Sequence, residues 1–421
     1  MIETAIANQV IESLRRGLPP QRGTGSYAVG HDKLIAGIRR FHLGGISDKG
    51  IIRFVSGSWG AGKTHFFRLM REEAFDSGCL VSAVELNVNE APLNKFERVF
   101  HSIIRNVVTP SYFAGEAQAS VAPFGIVLRE ALVYLATGVH GQPQVVTHED
   151  LTSATEKLMA CEAIDIDFRK IVKRYWETYL PDSPDLAIVD QERDELLQWF
   201  SGEGTIGQWR KNFGINKVVS KDNAKLMLQS LAAFIQLAGY KGLVILFDEA
   251  EMSYSIMRKS ALKDAHNNLL HLLNNVSELK GLFLLYATTP DFYTDPKHGI
   301  VIYGALAGRI GKPIDRPPKA LENVWNLDAI EFTLADYQEA SRKIRGVYLA
   351  AYPEAEEDVM SETTLEACVS QLHDQHPRLS QVRFWRVLTA TTVRLLDDSI
   401  SGEEVSAPEV YNDVMADLRE N

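Results

Sequence analysis

The sequence predicts an α/β fold, in which a parallel sheet with helices on both faces carries a long helical insertion and a C-terminal helical lid. Three observations support this prediction. A glycine-rich loop lies between a short apolar run and a helical segment, a second apolar run ends in two carboxylates, and a third ends in two threonines. Short, continuous apolar runs are typical of strands that are buried on both faces of a parallel sheet.

The glycine-rich loop matches the phosphate-binding pattern G-x-x-x-x-G-K-[ST], with a predicted strand at 51–55 before it and a predicted helix at 65–73 after it. Small residues let successive backbone N–H groups point at a phosphate, and the helix dipole adds to this positive field. Lys63 is expected to contact the β- and γ-phosphates of ATP, and the Thr64 hydroxyl to bind Mg²⁺. The residues predicted to bind the nucleotide here are Gly57, Ser58, Trp59, Gly60, Ala61, Gly62, Lys63, Thr64 and His65.

The second apolar run, residues 243–247, is followed by Asp248 and Glu249. Since open α/β sheets bind their ligands at the carboxyl ends of the strands, both carboxylates are expected to face the nucleotide. Asp248 is the second predicted Mg²⁺ residue, and Glu249 is predicted to orient the attacking water. The alternative is an acidic, solvent-facing turn, which the nearby phosphate-binding loop makes less favourable.

The third apolar run, residues 282–287, ends in Thr288 and Thr289. A polar side chain at this strand end is expected to contact the γ-phosphate or the attacking water, and either threonine suits that role. For each of them the alternative is a threonine that caps the loop before Pro290.

Composition narrows the remaining possibilities. The chain has 421 residues, a net charge of −11 and 45% hydrophobic residues, which is typical of a soluble protein of more than one domain. No apolar run reaches membrane-spanning length and no signal peptide is predicted, so we expect a cytoplasmic protein. The three cysteines are widely spaced, which favours a reducing compartment over a disulfide framework or a zinc site.

Helical periodicity dominates the rest of the chain. Residues 95–220 are predicted to form a helical insertion, and a helix at 222–239 is expected to begin with Asp222 as its N-cap. Lid helices are predicted at 335–351, 362–373 and 379–396, with solvated loops at 354–358 and 397–404.

The order of these features resembles the AAA+ superfamily and, within it, the origin-recognition-like branch. Residues 28–34 resemble the box that closes over adenine in that branch, which implies that Val29 and Gly30 contact the nucleotide, although His31 stands where an arginine is frequent. Residues 305–310 lie where the branch carries an arginine finger. The resemblance therefore implies that Arg309 reaches the γ-phosphate of a neighbouring subunit, with Arg316 as the reserve and a surface arginine as the alternative.

The lid is expected to contribute a further arginine. In AAA+ proteins a lid arginine near the start of a helix senses the γ-phosphate, and Arg378 fits this position best, with Arg383 next. The alternative is a salt bridge at the start of the helix. The resemblance divides the chain into an N-terminal helix, adenine box and first half of the P-loop core (1–94), the insertion (95–220), the second half of the core (221–330) and the lid (331–421).

Several shorter segments resemble the ATP-binding proteins of BREX phage-defence systems, in particular the short BrxD type. They are residues 10–20, 87–96, 239–242 and 287–293, and the similarity extends over most of the chain. It implies an ATPase in bacterial defence against phage that assembles as a homo- or hetero-oligomer and acts with other proteins of the system.

Contact with double-stranded DNA would need a local basic patch, because the net charge is negative. Lysines and arginines lie beside aromatic residues in the insertion, a combination that suits phosphate contact and base stacking. The favoured alternative is a solvated helix face with the aromatic residues in the core. The residues of this patch are Arg169, Lys170, Lys173, Arg174, Tyr175, Trp176, Trp209, Arg210, Lys211, Lys217, Lys221 and Lys225.

Three classes of function remain open. The first is an AAA+ ATPase that remodels DNA or a partner complex. The second is a nucleotide-gated switch with little turnover of its own. The third is a small-molecule kinase, against which the lid and the Asp248–Glu249 pair argue.

Overall fold

The computed structural model describes residues 2–87, 89–115, 122–141, 146–180, 185–248, 257–377, 383–402 and 406–420. These residues form a six-stranded sheet with helices on both faces, so the predicted α/β fold is confirmed. The strands are β1 (Ile51–Ser56), β2 (Leu80–Glu85), β3 (Val107–Val108), β4 (Leu243–Asp248), β5 (Leu282–Thr288) and β6 (Val324–Asn326).

The order of the strands across the sheet is β3-β2-β4-β5-β1-β6, and all neighbours run parallel except β2 and β3. Ser56 lies opposite Thr288, and Glu85 lies opposite Asp248. The carboxyl ends of β1, β2, β4 and β5 therefore share one edge of the sheet. This is the edge at which open α/β sheets bind ligands, and the phosphate-binding loop (P-loop, residues 57–64) follows β1 there.

Two apolar clusters cover the two faces of the sheet. Successive residues of β1 enter different clusters, with Phe54 on the side of the insertion helices and Val55 on the side of the P-loop helix. Strand β5 is buried along its whole length, as is β4 up to its last residue, Asp248. Burial on both faces explains why these strands are continuously apolar in sequence.

Two helices flank the P-loop on its own face of the sheet. They are α2 (Asp32–Phe41) and α3 (Lys63–Asp76), while α1 (Thr4–Arg15) lies further toward the lid. Helix α3 begins two residues earlier than predicted because Gly62 adopts a φ of 87°, a left-handed conformation that turns the loop directly into the helix.

The described part of the insertion is helical, as predicted, apart from β3, which adds an antiparallel edge strand to β2. Its apolar faces join the same core cluster as β4 and β5, with Trp176 and Trp199 fully buried. The helices are α4 (Phe96–Asn106), α5 (Pro110–Ala114), α6 (Pro123–Thr137), α7 (His148–Ala160), α8 (Ile166–Glu177), α9 (Leu186–Phe200) and α10 (Ile206–Phe213).

The prediction that Asp222 caps the next helix is wrong. The N-cap of helix α11 (Ala224–Leu237) is one residue later, at Asn223. The Asn223 side chain accepts a hydrogen bond from the backbone N–H of Ser220 instead of from the helix, so the turn before the helix fixes where the helix starts. The helices that follow in the core are α12 (Lys259–Asn274), α13 (Asp291–Thr294) and α14 (Gly304–Ile310).

The described residues of the lid form four helices, α15 (Leu334–Ala351), α16 (Glu362–Gln375), α17 (Phe384–Ile400) and α18 (Ala407–Glu420), of which the last was not predicted. Helix α1 packs into the apolar cluster of the lid rather than onto the sheet. The prediction of a loop from 397 is also wrong, because α17 continues to Ile400. Asp397 accepts two hydrogen bonds from Arg15 and one from Tyr348, which ties α1, α15 and α17 together.

Candidate functional site

A cavity of about 1100 Å³ lies between the carboxyl edge of the sheet and the lid. We call it the cleft. One wall is the P-loop with Asp248. The facing wall is formed by helices α17 and α18, and the N-terminal segment that follows α1 closes one side. This volume is slightly above the roughly 300–1,000 Å³ that is usual for small-molecule sites, so the cleft has room for a whole nucleotide.

Glycine residues shape the P-loop. Gly60 and Gly62 adopt φ values of 77° and 87°, which other residues rarely reach. A side chain at Gly57 would place its Cβ 2.8 Å from the Cβ of Ala61, so this turn also needs a glycine. The backbone is thereby curled at the N-terminus of α3, the geometry in which successive N–H groups and the helix dipole attract a phosphate.

Lys63 is buried beneath this loop. Its Nζ donates hydrogen bonds to the carbonyl oxygens of Gly57, at 2.8 Å, and Ser58, at 3.4 Å, and lies 5.7 Å from the centre of the Trp59 ring. The ammonium group is therefore held at the loop by carbonyl oxygens. The Trp59 side chain is 66% exposed and stands at the mouth of the cleft.

The two residues predicted to bind Mg²⁺ are in contact. Thr64 Oγ1 donates a hydrogen bond to Asp248 Oδ2 at 3.4 Å, with Thr64 at the start of α3 and Asp248 at the end of β4. A hydroxyl and a carboxylate oxygen side by side suit a hard cation that keeps several of its waters. Glu249, the predicted water-orienting residue, lies outside the described residues.

The two threonines at the end of β5 are both buried, and neither is among the described residues that line the cleft. Thr288 Oγ1 is hydrogen-bonded to the Val55 carbonyl oxygen at 3.3 Å and to the Tyr293 hydroxyl at 2.9 Å. The Thr288 carbonyl oxygen also accepts a hydrogen bond from Gly57 N–H. These contacts favour a role for Thr288 in holding the first residue of the P-loop against β5.

The segment predicted to close over adenine lies beside the P-loop. Val29 and His31 line the cleft, and His31 Nδ1 donates a hydrogen bond to the Val29 carbonyl oxygen at 3.0 Å. Gly30 adopts a φ of 82°, and a Cβ there would lie 2.4 Å from the Phe332 ring. Gly30 therefore lets this segment turn against an aromatic residue of the cleft wall.

Two imidazoles in this wall are held neutral. Desolvation lowers the pKa of His65 to about 3, and it also lowers the pKa of His31. The Tyr27 hydroxyl is hydrogen-bonded to His65 Nδ1 at 3.2 Å. These histidines therefore contribute ring surface to the cleft at neutral pH, and the positive charge of the cleft comes from its lysine and arginine side chains.

A lid arginine touches the P-loop. Arg383, at the N-cap of α17, donates a hydrogen bond from Nη2 to Ser58 Oγ at 2.5 Å and lies 3.4 Å from Asp328 Oδ1. Asp328 in turn accepts hydrogen bonds from Ser58 N–H and Ser58 Oγ, both at 2.7 Å. Arg383, the reserve choice from the sequence, is thus in place, while Arg378 lies outside the described residues.

Asp328 was not among the residues predicted from the sequence. It follows β6, which has three residues and lies next to β1 in the sheet, so its position beside the P-loop depends on strand pairing that no local pattern signals. An acidic residue at the end of a strand is the pattern that indicates Asp328, but this pattern is visible only once β6 is recognised as a strand.

The two predicted finger arginines lie elsewhere. Arg309, on α14, is exposed and lines a second cavity beside the first half of β1, away from the P-loop of its own chain. Arg316 forms an ion pair with Glu322. An arginine that reaches a phosphate on another subunit has to be exposed, and Arg309 meets this condition.

Four of the nine basic side chains in the predicted patch on the insertion form ion pairs with described residues. Tyr175, Trp176 and Trp209 are buried in the core and offer no face for base stacking. Arg174 pairs with Glu192 and Glu177, and the other pairs of this patch are Lys170 with Asp167, Lys173 with Glu177 and Lys217 with Asp165. The structure therefore favours the alternative, a solvated helix face over an aromatic core.

Two further features bear on the sequence predictions. All three cysteines are free thiols, and burial raises the pKa of Cys79 to about 12. No helix in the described part of the chain is long and apolar enough to cross a bilayer.

The fold and the cleft define the chain as an α/β protein of the P-loop type, with a helical lid over the loop. A family model described as BREX system ATP-binding protein BrxC/D matches residues 2–413. The chain therefore belongs to this family of ATP-binding proteins, as the sequence resemblance predicted. No curated protein and no solved structure matches the chain.

Proposed function

We propose that the chain is a Mg²⁺-dependent ATPase of the AAA+ type, and that in BREX defence its hydrolysis of ATP drives remodelling of DNA or of a complex with other proteins of the system. The contact between Thr64 Oγ1 and Asp248 Oδ2 carries this proposal. It sets a hydroxyl and a carboxylate beside a curled phosphate-binding backbone, and P-loop NTPases hold Mg²⁺ next to a triphosphate with this pair of groups.

The proposed roles follow from the positions of the groups. Lys63 and the N–H groups of the P-loop bind the phosphates, and Thr64 and Asp248 hold the metal. A Mg²⁺ ion bound there would supply charge neutralisation at the phosphate oxygens. Glu249, next to Asp248 in the chain, is proposed to orient the attacking water. Thr289 remains the proposed polar contact at the end of β5, since Thr288 is already hydrogen-bonded within the core.

The strand order supports the AAA+ assignment. Strand β5 lies between the P-loop strand β1 and the Asp248 strand β4. A polar residue at the end of β5 therefore lies between the phosphate-binding backbone and the proposed metal residues. The exposed Arg309 supports assembly into an oligomer in which it reaches a neighbouring subunit's nucleotide, and Arg383 is proposed to report the γ-phosphate to the lid.

One observation favours the alternative of a nucleotide-gated switch. Arg383 hydrogen-bonds directly to Ser58 within the P-loop, so occupation of the loop and the position of the lid are linked by a single side chain. A switch of this kind needs ATP binding and lid movement, and it needs little turnover.

Steady-state phosphate release from Mg-ATP separates the two proposals. We expect turnover that rises per subunit with protein concentration, that increases with double-stranded DNA, and that falls by about 100-fold or more in Glu249→Gln, since aligning the water is part of the transition state. ATP affinity of this variant is expected to stay within about threefold of wild type. Normal turnover by Glu249→Gln would refute the catalytic assignment. A slow rate of phosphate release that changes with neither DNA nor protein concentration would support the switch.

A further inference from the structure

The second cavity lies on the flank of β1 and has a volume of about 280 Å³. Its walls are formed by the segment before β1 and the first half of β1, by the end of α12, and by α14. Residues 321 and 323, just before β6, complete them. We call it the β1 cavity. Three cationic side chains line it, Lys49, Arg53 and Arg309, and no carboxylate is among the described residues that form its walls.

The most unusual of these cations is Arg53. It lies in the middle of β1, between β5 and β6, and its Nη1 donates a hydrogen bond to the Ile52 carbonyl oxygen at 2.8 Å. Its Nε is buried and has no partner. Within the described part of the chain, no ion pair is formed by Arg53. Burial lowers the pKa of Arg53 from its ordinary value, but a guanidinium keeps its proton at neutral pH.

Arg53 is half-buried, and a charge that is partly removed from water without a counter-charge is costly. Arg53 is also placed where an apolar residue would suit the sheet better, between Ile52 and Phe54. Neither Lys49 nor Arg309 forms an ion pair with a described residue, so the three positive charges face the same space without compensation. An anion in the β1 cavity would remove this cost.

Hydrogen bonds and close backbone packing fix the walls of the cavity. Asn323 accepts a hydrogen bond from Phe54 N–H through its carbonyl oxygen and donates one from Nδ2 to the Arg309 carbonyl oxygen, which ties α14 to β1. At Gly50 an added Cβ would lie 2.0 Å from the Val276 carbonyl oxygen, so the chain passes close to the segment after α12. The neighbouring His42 donates from Nε2 to the Ala320 carbonyl oxygen and has a pKa lowered to about 4 by burial, so it adds no charge.

We propose that the β1 cavity is a second anion site, separate from the P-loop, that binds a small phosphate-class anion through Arg53, Lys49 and Arg309. Its volume lies below the roughly 300–1,000 Å³ of sites for whole drug-sized ligands, which favours free phosphate or a single phosphate monoester over an intact nucleotide. Arginine suits this ligand because its planar guanidinium offers paired donors to phosphate oxygens.

This inference shares Arg309 with the proposed function, in which that residue reaches a neighbouring subunit's nucleotide. It can fail while the proposed function holds, because its test varies Arg53 and Lys49 only. The test therefore uses a Lys63→Ala background, in which phosphate binding at the P-loop is removed. Inorganic phosphate is titrated into the full-length protein by calorimetry, and its effect on the thermal midpoint is measured in parallel. We expect saturable phosphate binding that persists in Lys63→Ala and that weakens at least tenfold when Arg53→Met or Lys49→Gln is added.

Matched controls are available on the surface. Arg40→Met removes an exposed arginine on α2, and Lys211→Gln removes an exposed lysine on α10, and neither should change phosphate affinity. Arg53→Met should also raise the thermal midpoint without phosphate, because it replaces an uncompensated, half-buried charge with an apolar side chain. If that variant fails to fold, Lys49→Gln, which changes an exposed residue, still decides the question.

The probes separate the possible sources of the anion. Tighter binding of glycerol 3-phosphate than of phosphate assigns the site to a phosphate monoester, and tighter binding of phosphate assigns it to the free ion. Loss of all phosphate binding in Lys63→Ala alone, or unchanged affinity in the Arg53→Met and Lys49→Gln variants, would overturn the proposal. Displacement of phosphate by short duplex DNA but not by glycerol 3-phosphate would also overturn it, in favour of a nucleic-acid contact.

Discussion

The two walls of the cleft are built in different ways. The anion-binding part of the core wall is contiguous in the chain, because the P-loop and the start of α3 follow β1 without interruption, and Asp248 at the end of β4 completes this wall. The lid wall is assembled from distant segments, with Arg383 of α17 bonded to Ser58 and Asp328. Phosphate binding is therefore a local property of this sequence, whereas its coupling to the lid depends on the tertiary structure.

Removal of the lysine in the core wall is expected to have the largest effect. Lys63→Ala takes away the charge that the Gly57 and Ser58 carbonyl oxygens hold at the loop. We expect ATP affinity to fall by about 100-fold or more, since charge-assisted contacts to phosphate are among the strongest in proteins. Equilibrium binding of a fluorescent ATP analogue measures this loss. Lys211→Ala, on the exposed side of α10, is the matched control. ATP affinity within threefold of wild type in Lys63→Ala would contradict the P-loop assignment.

Removal of the arginine in the lid wall is expected to have a smaller effect. Arg383→Ala breaks the contacts with Ser58 and Asp328 and should weaken ATP binding by about tenfold, because the nucleotide keeps the whole core wall. Trp59 belongs to the P-loop and is exposed, so its fluorescence on ATP addition reports the local change. Arg394→Ala, on the same helix but paired with Asp417, should leave both affinity and fluorescence response unchanged. Equal ATP affinity and equal fluorescence response in the Arg383 and Arg394 variants would contradict a role for the lid in ATP binding.

These two positions also mark how far the sequence predicts the structure. The P-loop, Thr64 and Asp248 were placed correctly at one edge because each belongs to a short pattern next to a continuous apolar strand. Asp328 was missed because β6 has three residues and its pairing with β1 is not local. The start of α17 was set too early, since no residue pattern marked that Arg383 would occupy its N-cap.

A third test concerns the support behind the lid wall. The Asp397 carboxylate accepts hydrogen bonds from Arg15 Nε and Nη2 and from the Tyr348 hydroxyl. These bonds join α1 to the lid. Asp397→Asn keeps the size of the side chain but removes the charge, and should lower the free energy of unfolding by about 1–3 kcal/mol. Urea unfolding measures this loss of unfolding free energy. Asp417→Asn, at an exposed ion pair, should cost less than about 1 kcal/mol, and an equal cost in both variants would contradict the bridging role of Asp397.

The smallest expected effect is the dependence of the free energy of unfolding on pH that His65, next to the P-loop, causes. The pKa of His65 is about 3 in the folded protein and about 6.5 when the chain is unfolded, so the unfolded state takes up a proton that the folded state does not. The contribution of His65 to stability is therefore fully present above about pH 6.5 and falls as the pH drops toward 3. His65→Gln should show a smaller loss of unfolding free energy between pH 7.5 and 5.5 than wild type. His148→Gln, at an exposed position, is the control, and equal losses in the two variants would contradict a neutral His65.

Hydrogen exchange with and without a non-hydrolysable Mg-ATP analogue tests the central claim most directly, namely that one nucleotide is held by both walls of the cleft. We predict slower exchange in residues 57–66 of the core wall and also in residues 383–389 at the start of α17, with the Arg383→Ala variant losing protection only at the second segment. Protection confined to residues 57–66 in the wild-type protein would contradict the account, because the lid would then take no part in binding ATP.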